Sequence, residues 1–251
     1  MGLRFSIVTV VYNGEKEIAK TIESVLAQTV PPFEYIIVDG KSTDNTLNIV
    51  GRYVDLLSKK GIVLRIISEK DTGIYNAMNK GIDVATGDFI SFLNVGDWYE
   101  PTALQDVNCL YEKKPFDLTY GSIFYHLENG KVLIKKSRKD HIVVSSRNWN
   151  HPSMFLKSDI YKRYHFDETL KIYSDFDLFL KLRKNKQVKI LVNKLVTTHF
   201  ISGGVSTNPS SSKVRMKEKA FAYRHNHYNF LCLLEVYFWE TFKRFFFKVN
   251  K

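Results

Sequence analysis

The sequence predicts an α/β domain, a mostly parallel central sheet flanked by helices. Three observations carry this reading. Strand-type and helix-type segments alternate from Phe5 to Leu93, the pattern of a wound parallel sheet. The strand segments are short, nearly continuous apolar runs rich in β-branched residues, as strands buried on both faces are. Polar residues gather where those runs stop, at the edge where such sheets hold ligands.

The elements follow in order. Phe5 to Val11 (FSIVTVV) reads as the first strand, punctuated by Tyr12-Asn13-Gly14. Glu15 to Leu26 has helical spacing, with Ile18, Ile22, Val25 and Leu26 on one side. After the Pro31-Pro32 break, Tyr35 to Val38 is a second strand that stops at Asp39-Gly40. Ser42-Thr43-Asp44 can cap a helix running to about Leu57. Ile62 to Ile67 is the third strand, Ile74 to Val84 the next helix, and Phe89 to Leu93 the fourth strand, ending at Asn94-Val95-Gly96-Asp97. The strand-end polar clusters are therefore Asn13, Asp39, Glu69 with Asp71, and Asn94 with Asp97. Leu118 to Phe124 and Val132 to Ile134 can pair across Glu128-Asn129-Gly130. Asp175 to Leu182 fits a short helix, Val188 to Val192 a late strand, and Ser202 to Lys213 a loop. Lys135, Lys136, Arg138 and Lys139 form a basic run that reads as solvated surface.

Composition limits the function classes. The chain has 251 residues, 44% of them hydrophobic, which supports a sizeable core and excludes whole-chain disorder. Cys109 and Cys232 are the only cysteines, so neither a disulfide framework nor a four-cysteine zinc site is expected. Met1 to Val11 is too short an apolar run for a secretory signal, and no uninterrupted apolar stretch is long enough for a spanning helix. The expectation is a cytoplasmic domain. The net charge of +11 favours anionic partners. Residues 213–251 concentrate it, with nine Lys/Arg against three Glu among many aromatic and aliphatic residues. That segment reads either as packing against the domain or a second subunit, which leaves an oligomer open, or as an interfacial helix on an anionic membrane.

Several chemistries lack their motifs. The turn after the first strand reads YNGEKE rather than G-x-G-x-x-G, and no G-x-x-x-x-G-K-S/T, H-E-x-x-H or G-x-S-x-G is present. No zinc-finger spacing or ribonucleoprotein aromatic motif supports a nucleic-acid partner. An Asp- and Asn-rich strand-end site in a basic protein suits a nucleotide diphosphate with a hard cation, Mg²⁺ or Mn²⁺. The cation would neutralise a diphosphate leaving group, and a carboxylate further along could take a proton from an attacking hydroxyl.

Three segments, FSIVTVVYNGEKEIAKTIESVLAQT, YIIVDGKSTDNT and SEKDTGIYNAMNKGIDVATGDFISFLNVGDWYEP, resemble glycosyltransferase family 2. Within it they are most similar to the branch that builds bacterial exopolysaccharide, capsule and O-antigen units. The resemblance runs from about Phe5 to Leu182, with a weaker match at Gly203-Gly204-Val205-Ser206. It implies a GT-A fold, a nucleotide-sugar donor, and inversion at the anomeric carbon. With it goes a division into a nucleotide-sugar half (about 1–100) and an acceptor half (about 101–212), followed by the helical basic-aromatic tail (213–251) that the composition marks. The activity implied is transfer of a hexose or N-acetylhexosamine from a UDP-sugar to a membrane-held glycan. The basic aromatic tail adds the expectation of a polyprenyl-diphosphate-linked acceptor, with the protein peripheral on the inner face of the membrane.

Residue by residue, the resemblance puts Thr9, Val11 and Asn13 at the nucleotide pocket. It puts Asp39 on the base, Asp71 near base and ribose, and Asn94 to Asp97 at the metal motif, with Asp97 its one carboxylate. Asp175 takes the general-base position, and Asp177 is its close competitor on the acceptor side. Ser174 replaces the family's Glu, Gly96 carries no side chain for a metal, and Ala77-Met78-Asn79 lacks the family's Arg. Trp149 reads either as a sugar platform or as a core or lid residue. His151 reads as a hydrogen-bonding neighbour of the acceptor, and His199 as a ligand for phosphate or metal or as a plain strand-end residue. Two rival readings remain: a sugar nucleotidyltransferase, which normally has a Gly- and Lys/Arg-rich triphosphate loop where this chain has YNGEKE, and a non-catalytic nucleotide-sugar or glycan binder of the same fold.

Overall fold

The structure is a computed structural model and describes residues 2–140, 143–204 and 208–238. Nine strands form one sheet: β1 (Phe5–Val11), β2 (Glu34–Asp39), β3 (Val63–Ser68), β4 (Phe89–Phe92), β5 (Trp98–Tyr99), β6 (Leu118–His126), β7 (Val132–Lys135), β8 (Phe155–Lys157) and β9 (Ile190–Ile201). Their order is β3-β2-β1-β4-β8-β6-β9-β5, with β7 on β6. The first four strands pair parallel, as expected. Beyond β4 the sheet is mixed: β8 runs against both β4 and β6, β9 runs with β6, and β5 runs against β9. The expectation of a mostly parallel sheet is corrected to a mixed one. The physical reason is length. β5 and β8 have two and three residues, too few for a period to show, and antiparallel neighbours need no helical crossover to announce them.

The helices are α1 (Ile18–Leu26), α2 (Thr46–Gly51), α3 (Val54–Lys59), α4 (Ile74–Val84), α5 (Ala103–Lys113), α6 (Ser158–Arg163), α7 (Ser174–Lys184) and α8 (Ser212–His225). Residues 230–238 are also helical. The helix expected to run to Leu57 is broken in two. Arg52 and Tyr53 close tight turns onto Ile49 and Val50, which resets the direction after Gly51. The late strand is longer than its apolar run and carries His199 inside it.

Strand periodicity divides the core into two layers. On one face Val8, Val10, Ile36 and Val38 pack with Met78 and Ile82 of α4 and Phe176, Phe179 and Leu180 of α7. On the other, Ile7, Val11, Tyr35 and Ile37 pack with Ile18, Ile22 and Val25 of α1 and Leu104 and Val107 of α5. Each such burial contributes about 1.5–3 kcal/mol. Ala222, Tyr223, Cys232 and Val236 belong to the first layer, so α8 and residues 230–238 share the core of the domain. Of the tail, 239–251 lie outside the described residues. Among the described residues no helix is long and apolar enough to cross a membrane.

Glu34 ties the end of the sheet far from the polar strand ends. Its fully buried carboxylate accepts from Ser6 Oγ (2.6 Å), Thr86 N (2.5 Å) and Gly87 N (3.1 Å) and pairs with Arg65 Nε at 3.0 Å. Burial pushes this carboxyl up, but the hydrogen bonds from Ser6, Thr86 and Arg65 outweigh it and hold the group below its ordinary value. A depressed acid adds stability above its unfolded-state value, and that stability is lost as pH falls through the folded one. The thermal midpoint of the wild type is therefore expected to fall more steeply than that of Glu34→Gln as pH drops below about 4.5. Parallel pH profiles would contradict this.

Candidate active site

At the C-terminal ends of β1, β2 and β3, hydrogen bonds set each polar group. Asp39, the last residue of β2, is fully buried. Its carboxylate accepts the Ser42 N–H at 3.2 Å and the Ser68 hydroxyl at 2.7 Å. Gly40 follows, and the space beside it is taken: a Cβ there would stand 2.4 Å from Asp71 Oδ2. Glycine thus lets the Asp71 carboxylate approach the end of β2, while Asp71 Oδ1 accepts the Gly73 N–H at 3.0 Å. Asn13 has φ +51°, the left-handed region Asn tolerates. Its Oδ1 accepts the Thr43 N–H at 2.8 Å, and its own N–H donates to Ser42 Oγ at 2.8 Å. Asn13, Asp39 and Asp71 are therefore brought to one place at the sheet edge. Tyr12, which sequence reasoning passed over as punctuation, stands beside Gly40 there with 63% of its surface exposed.

Thr9 and Val11 lie beneath that place rather than in it. The Thr9 hydroxyl bonds to Tyr35 OH (2.9 Å) and the Leu93 carbonyl (2.6 Å), and Val11 is in the core. The alternation of β1 accounts for this, since both side chains point to the α1 face.

At the end of β4 the segment from Asn94 to Asp97 turns through Gly96, whose φ is +93°. Asn94 Oδ1 is buried and has no hydrogen-bond partner. Asp97 is 4% exposed, and its Oδ1 accepts the Ile201 N–H at 3.0 Å. Burial pushes the Asp97 carboxyl up to about 8, against the pull of that N–H.

His199 does not join Asp97 in a ligand set. Its Nε2 meets the Glu100 carboxylate, its Nδ1 lies 2.9 Å from His126 Nε2, and its ring is stacked between Trp98 (4.6 Å) and Phe124 (4.5 Å). The cause is β9 continuing to Ile201 and pairing with β5, which sets Trp98 opposite His199. Among the described residues no group of three or more His, Cys, Asp or Glu could hold a metal ion. The oxygen atoms of Asn94 and Asp97 remain. An orphaned buried amide oxygen and one carboxyl fit a hard cation that brings its other ligands with a diphosphate, as Mg²⁺ commonly does.

The second half of the site sits at the start of α7. Asp175 Oδ1 accepts the Phe176 N–H at 2.7 Å and lies 3.1 Å from the Tyr75 hydroxyl, which also reaches the Ile172 carbonyl at 2.6 Å. Asp175 Oδ2 faces His151 Nδ1 at 3.5 Å. Burial raises the Asp175 carboxyl and lowers the His151 imidazole, and their mutual attraction opposes both shifts. His151 Nε2, Trp149 Nε1 and Ser174 Oγ are buried without partners. An unpaired buried polar atom costs about 1–3 kcal/mol, so three beside one carboxylate mark a place that a polar ligand would complete.

Trp149 sits in the core, 4% exposed and stacked on Phe179 at 4.9 Å, with its N–H buried and without a partner. Asp177 is not brought to this cluster. Two residues further along α7, its carboxylate accepts from Asn226 Nδ2 (2.7 Å) and meets His225 Nδ1 (3.0 Å) at the end of α8. Sequence reasoning missed Tyr75 and Glu218. Glu218 of α8 accepts the N–H groups of Lys171 (2.8 Å), Ile172 (2.8 Å) and Tyr173 (3.1 Å), the strap that leads into Asp175. Nothing local marks Glu218, because its partners are 45 to 47 residues away. Tyr75 could have been suspected as an aromatic residue opening the helix after Asp71. Of the segment expected to follow His199, Val205 and Ser206 lie outside the described residues.

The profile of the family described as "Glycosyl transferase family 2" matches residues 6–179. A PGL/p-HBAD biosynthesis glycosyltransferase of Mycobacterium tuberculosis is 36% identical over 127 residues, 50% of this chain and 48% of that protein. Chondroitin synthase of Escherichia coli is 27% identical over 206 residues, 76% of this chain and 28% of that one. The chain thus spans half or less of the length of these two relatives. Among solved structures, S. aureus TarS 1–349 in complex with UDP-GlcNAc superposes with TM-score 0.65 at 22% identity, over 88% of this chain and 66% of that one. A mannosyltransferase of Pyrobaculum calidifontis in complex with GDP-Man and Mn²⁺ gives 0.66 at 12% identity, over 96% and 70%. The two structural likenesses concern the fold.

Proposed function

The chain belongs to glycosyl transferase family 2, and from that premise we propose that it is an inverting glycosyltransferase that moves one hexose or N-acetylhexosamine from a UDP-sugar to a glycan acceptor in cell-surface polysaccharide synthesis. The observation that carries this reading is the pairing of two half-sites. Asn13, Asp39 and Asp71 gather at the strand ends, and Asp175 with His151 and Tyr75 stands at the head of α7.

In this reading Asp39 and Asp71 accept hydrogen bonds from the base and ribose, and the exposed Tyr12 ring offers a stacking face beside them. Asp175 takes the proton of the acceptor hydroxyl. The hydroxyl oxygen bonds to the anomeric carbon from the side opposite the nucleotide, and the carbon–oxygen bond to the diphosphate breaks as UDP leaves. Ser174 Oγ, Trp149 Nε1 and His151 Nε2 orient the acceptor. Asn94 and Asp97 would hold Mn²⁺ or Mg²⁺ together with the donor, supplying charge neutralisation for the departing diphosphate. For the acceptor we propose a glycan on a polyprenyl-diphosphate carrier, met at the cytoplasmic face of the membrane.

Calorimetry with UDP, GDP, CDP and TDP, each with and without Mn²⁺, tests the donor reading. UDP is expected to bind in the micromolar range and more tightly with Mn²⁺. Asp97→Asn is expected to bind UDP but lose the gain from Mn²⁺. Four indistinguishable isotherms would overturn the proposal, and an undiminished Mn²⁺ effect in Asp97→Asn would remove Asp97 from the metal site.

A further inference from the structure

At the far end of α7 from Asp175, the chain forms a groove of about 1170 Å³ between residues 137–139, the start of β9, and residues 227–229. From Asp175 to Lys184 is nine residue steps of α7, about 13 Å at 1.5 Å per residue. Lys114, Arg138, Lys139, Arg183, Lys184, Lys186 and Lys194 line the groove, with no Asp or Glu among the lining residues. Arg183 and Lys184 are held by the carbonyls of Asp140 and His227. The other five have no ion pair and no side-chain hydrogen bond among the described residues. Folding thus brings these cations together, with no ion-pair partner for these five among the described residues.

The wall at 227–229 runs directly into the last helical stretch. There Phe230, Leu231, Leu234, Tyr237 and Phe238 are exposed, between 46% and 68%. The spacing i, i+1, i+4, i+7, i+8 puts them on one face, while Cys232 and Val236 on the other face enter the core. Beside Tyr237 a second hollow is lined by Lys213, Lys217 and Arg224. The apolar face therefore lies between two sets of cations.

We infer that this surface docks on an anionic lipid bilayer: the groove takes headgroup phosphates, and the helix face enters the headgroup region. Charge complementarity and chain continuity support this occupant. Cations alone would suit any polyanion, but an adjoining apolar helix face suits only a partner with an apolar interior. In sequence, residues 239–251 continue the same composition, with Lys243, Arg244, Lys248 and Lys251 against Glu240 and with Phe242 and Phe245 to Phe247. This deepens the membrane part of the proposed function and is independent of the donor chemistry.

Flotation of the full chain with phosphatidylcholine vesicles, with and without phosphatidylglycerol, tests it. Wild type is expected to float with the anionic vesicles only and to be released by salt. A groove variant (Arg138→Glu, Lys139→Glu, Lys186→Glu, Lys194→Glu) is expected to bind them about a hundredfold or more weakly, at roughly fivefold per basic residue. A helix variant (Phe230→Ser, Leu234→Ser) is expected to lose binding as well. The neutral Gln set at the four groove positions serves if the Glu set misfolds, with an unchanged UDP isotherm as the control for folding. Anionic-vesicle binding that survives groove neutralisation would overturn the groove inference. If the helix variant nonetheless loses binding, the membrane reading stands on the helix alone; if neither variant loses it, both fail. Saturation of the groove by inorganic phosphate or by heparin, with no vesicle binding, would reassign it to free phosphate or a soluble polyanion.

Discussion

Asp175→Asn is expected to lower the kcat of sugar transfer by about 10²–10⁴-fold while leaving UDP affinity unchanged. The range is that of a lost general base. The amide retains an oxygen for the Phe176 N–H and the Tyr75 hydroxyl, which Oδ1 meets at 2.7 and 3.1 Å in the wild type, so the head of α7 should not move. What is lost is the capacity to take a proton. The pH profile supplies a second readout. A base works deprotonated, and burial raises this one, so the acidic limb of kcat/KM should lie above the ordinary carboxylate range and rise with pH through it. Asp177→Asn is the matched control: its carboxylate faces His225 and Asn226, and transfer should change little. Unchanged turnover in Asp175→Asn would place the base elsewhere.

Glu218→Gln is expected to cost about 2–4 kcal/mol of stability and to reduce kcat while UDP binding persists. The carboxylate accepts three backbone N–H groups, and hydrogen bonds to a charged acceptor contribute about 1.5–3 kcal/mol each. Glutamine has one carbonyl oxygen, and its NH₂ would face a donor. The strap it would release presents the Ile172 carbonyl to Tyr75 and leads into Asp175, so the loosened groups are those of the acceptor half. Denaturant unfolding reads the stability change. Single-turnover transfer at saturating donor reads the positioning. A stability loss with full kcat would limit Glu218 to a structural role.

What could be read from the residues and what could not divide along a physical line. The four parallel strands and the helices between them were legible because each is long enough to show a period, and a wound sheet turns that period into a topology. The shared position of Asn13, Asp39 and Asp71 was legible for the same reason: they stand at the ends of consecutive strands, so local order already places them at one edge. Asp175 was legible through the resemblance of its segment. The fate of α8 was not. Its apolar residues gather on no single face, and its buried Arg215, Glu218 and Lys219 read as surface charge until partners from distant segments are in place.

The family and the wound half of the sheet could be read from the residues alone, because those depend on neighbours along the chain. Packing settled the rest. It turned the second half of the sheet mixed, seated His199 between Trp98 and Phe124 and away from Asp97, joined Asp177 to α8, and brought Lys114, Arg138, Lys139, Lys186 and Lys194 to one groove. These outcomes rest on pairings between residues far apart in sequence, and which partner a charge or ring meets is settled by packing, for which no local pattern exists.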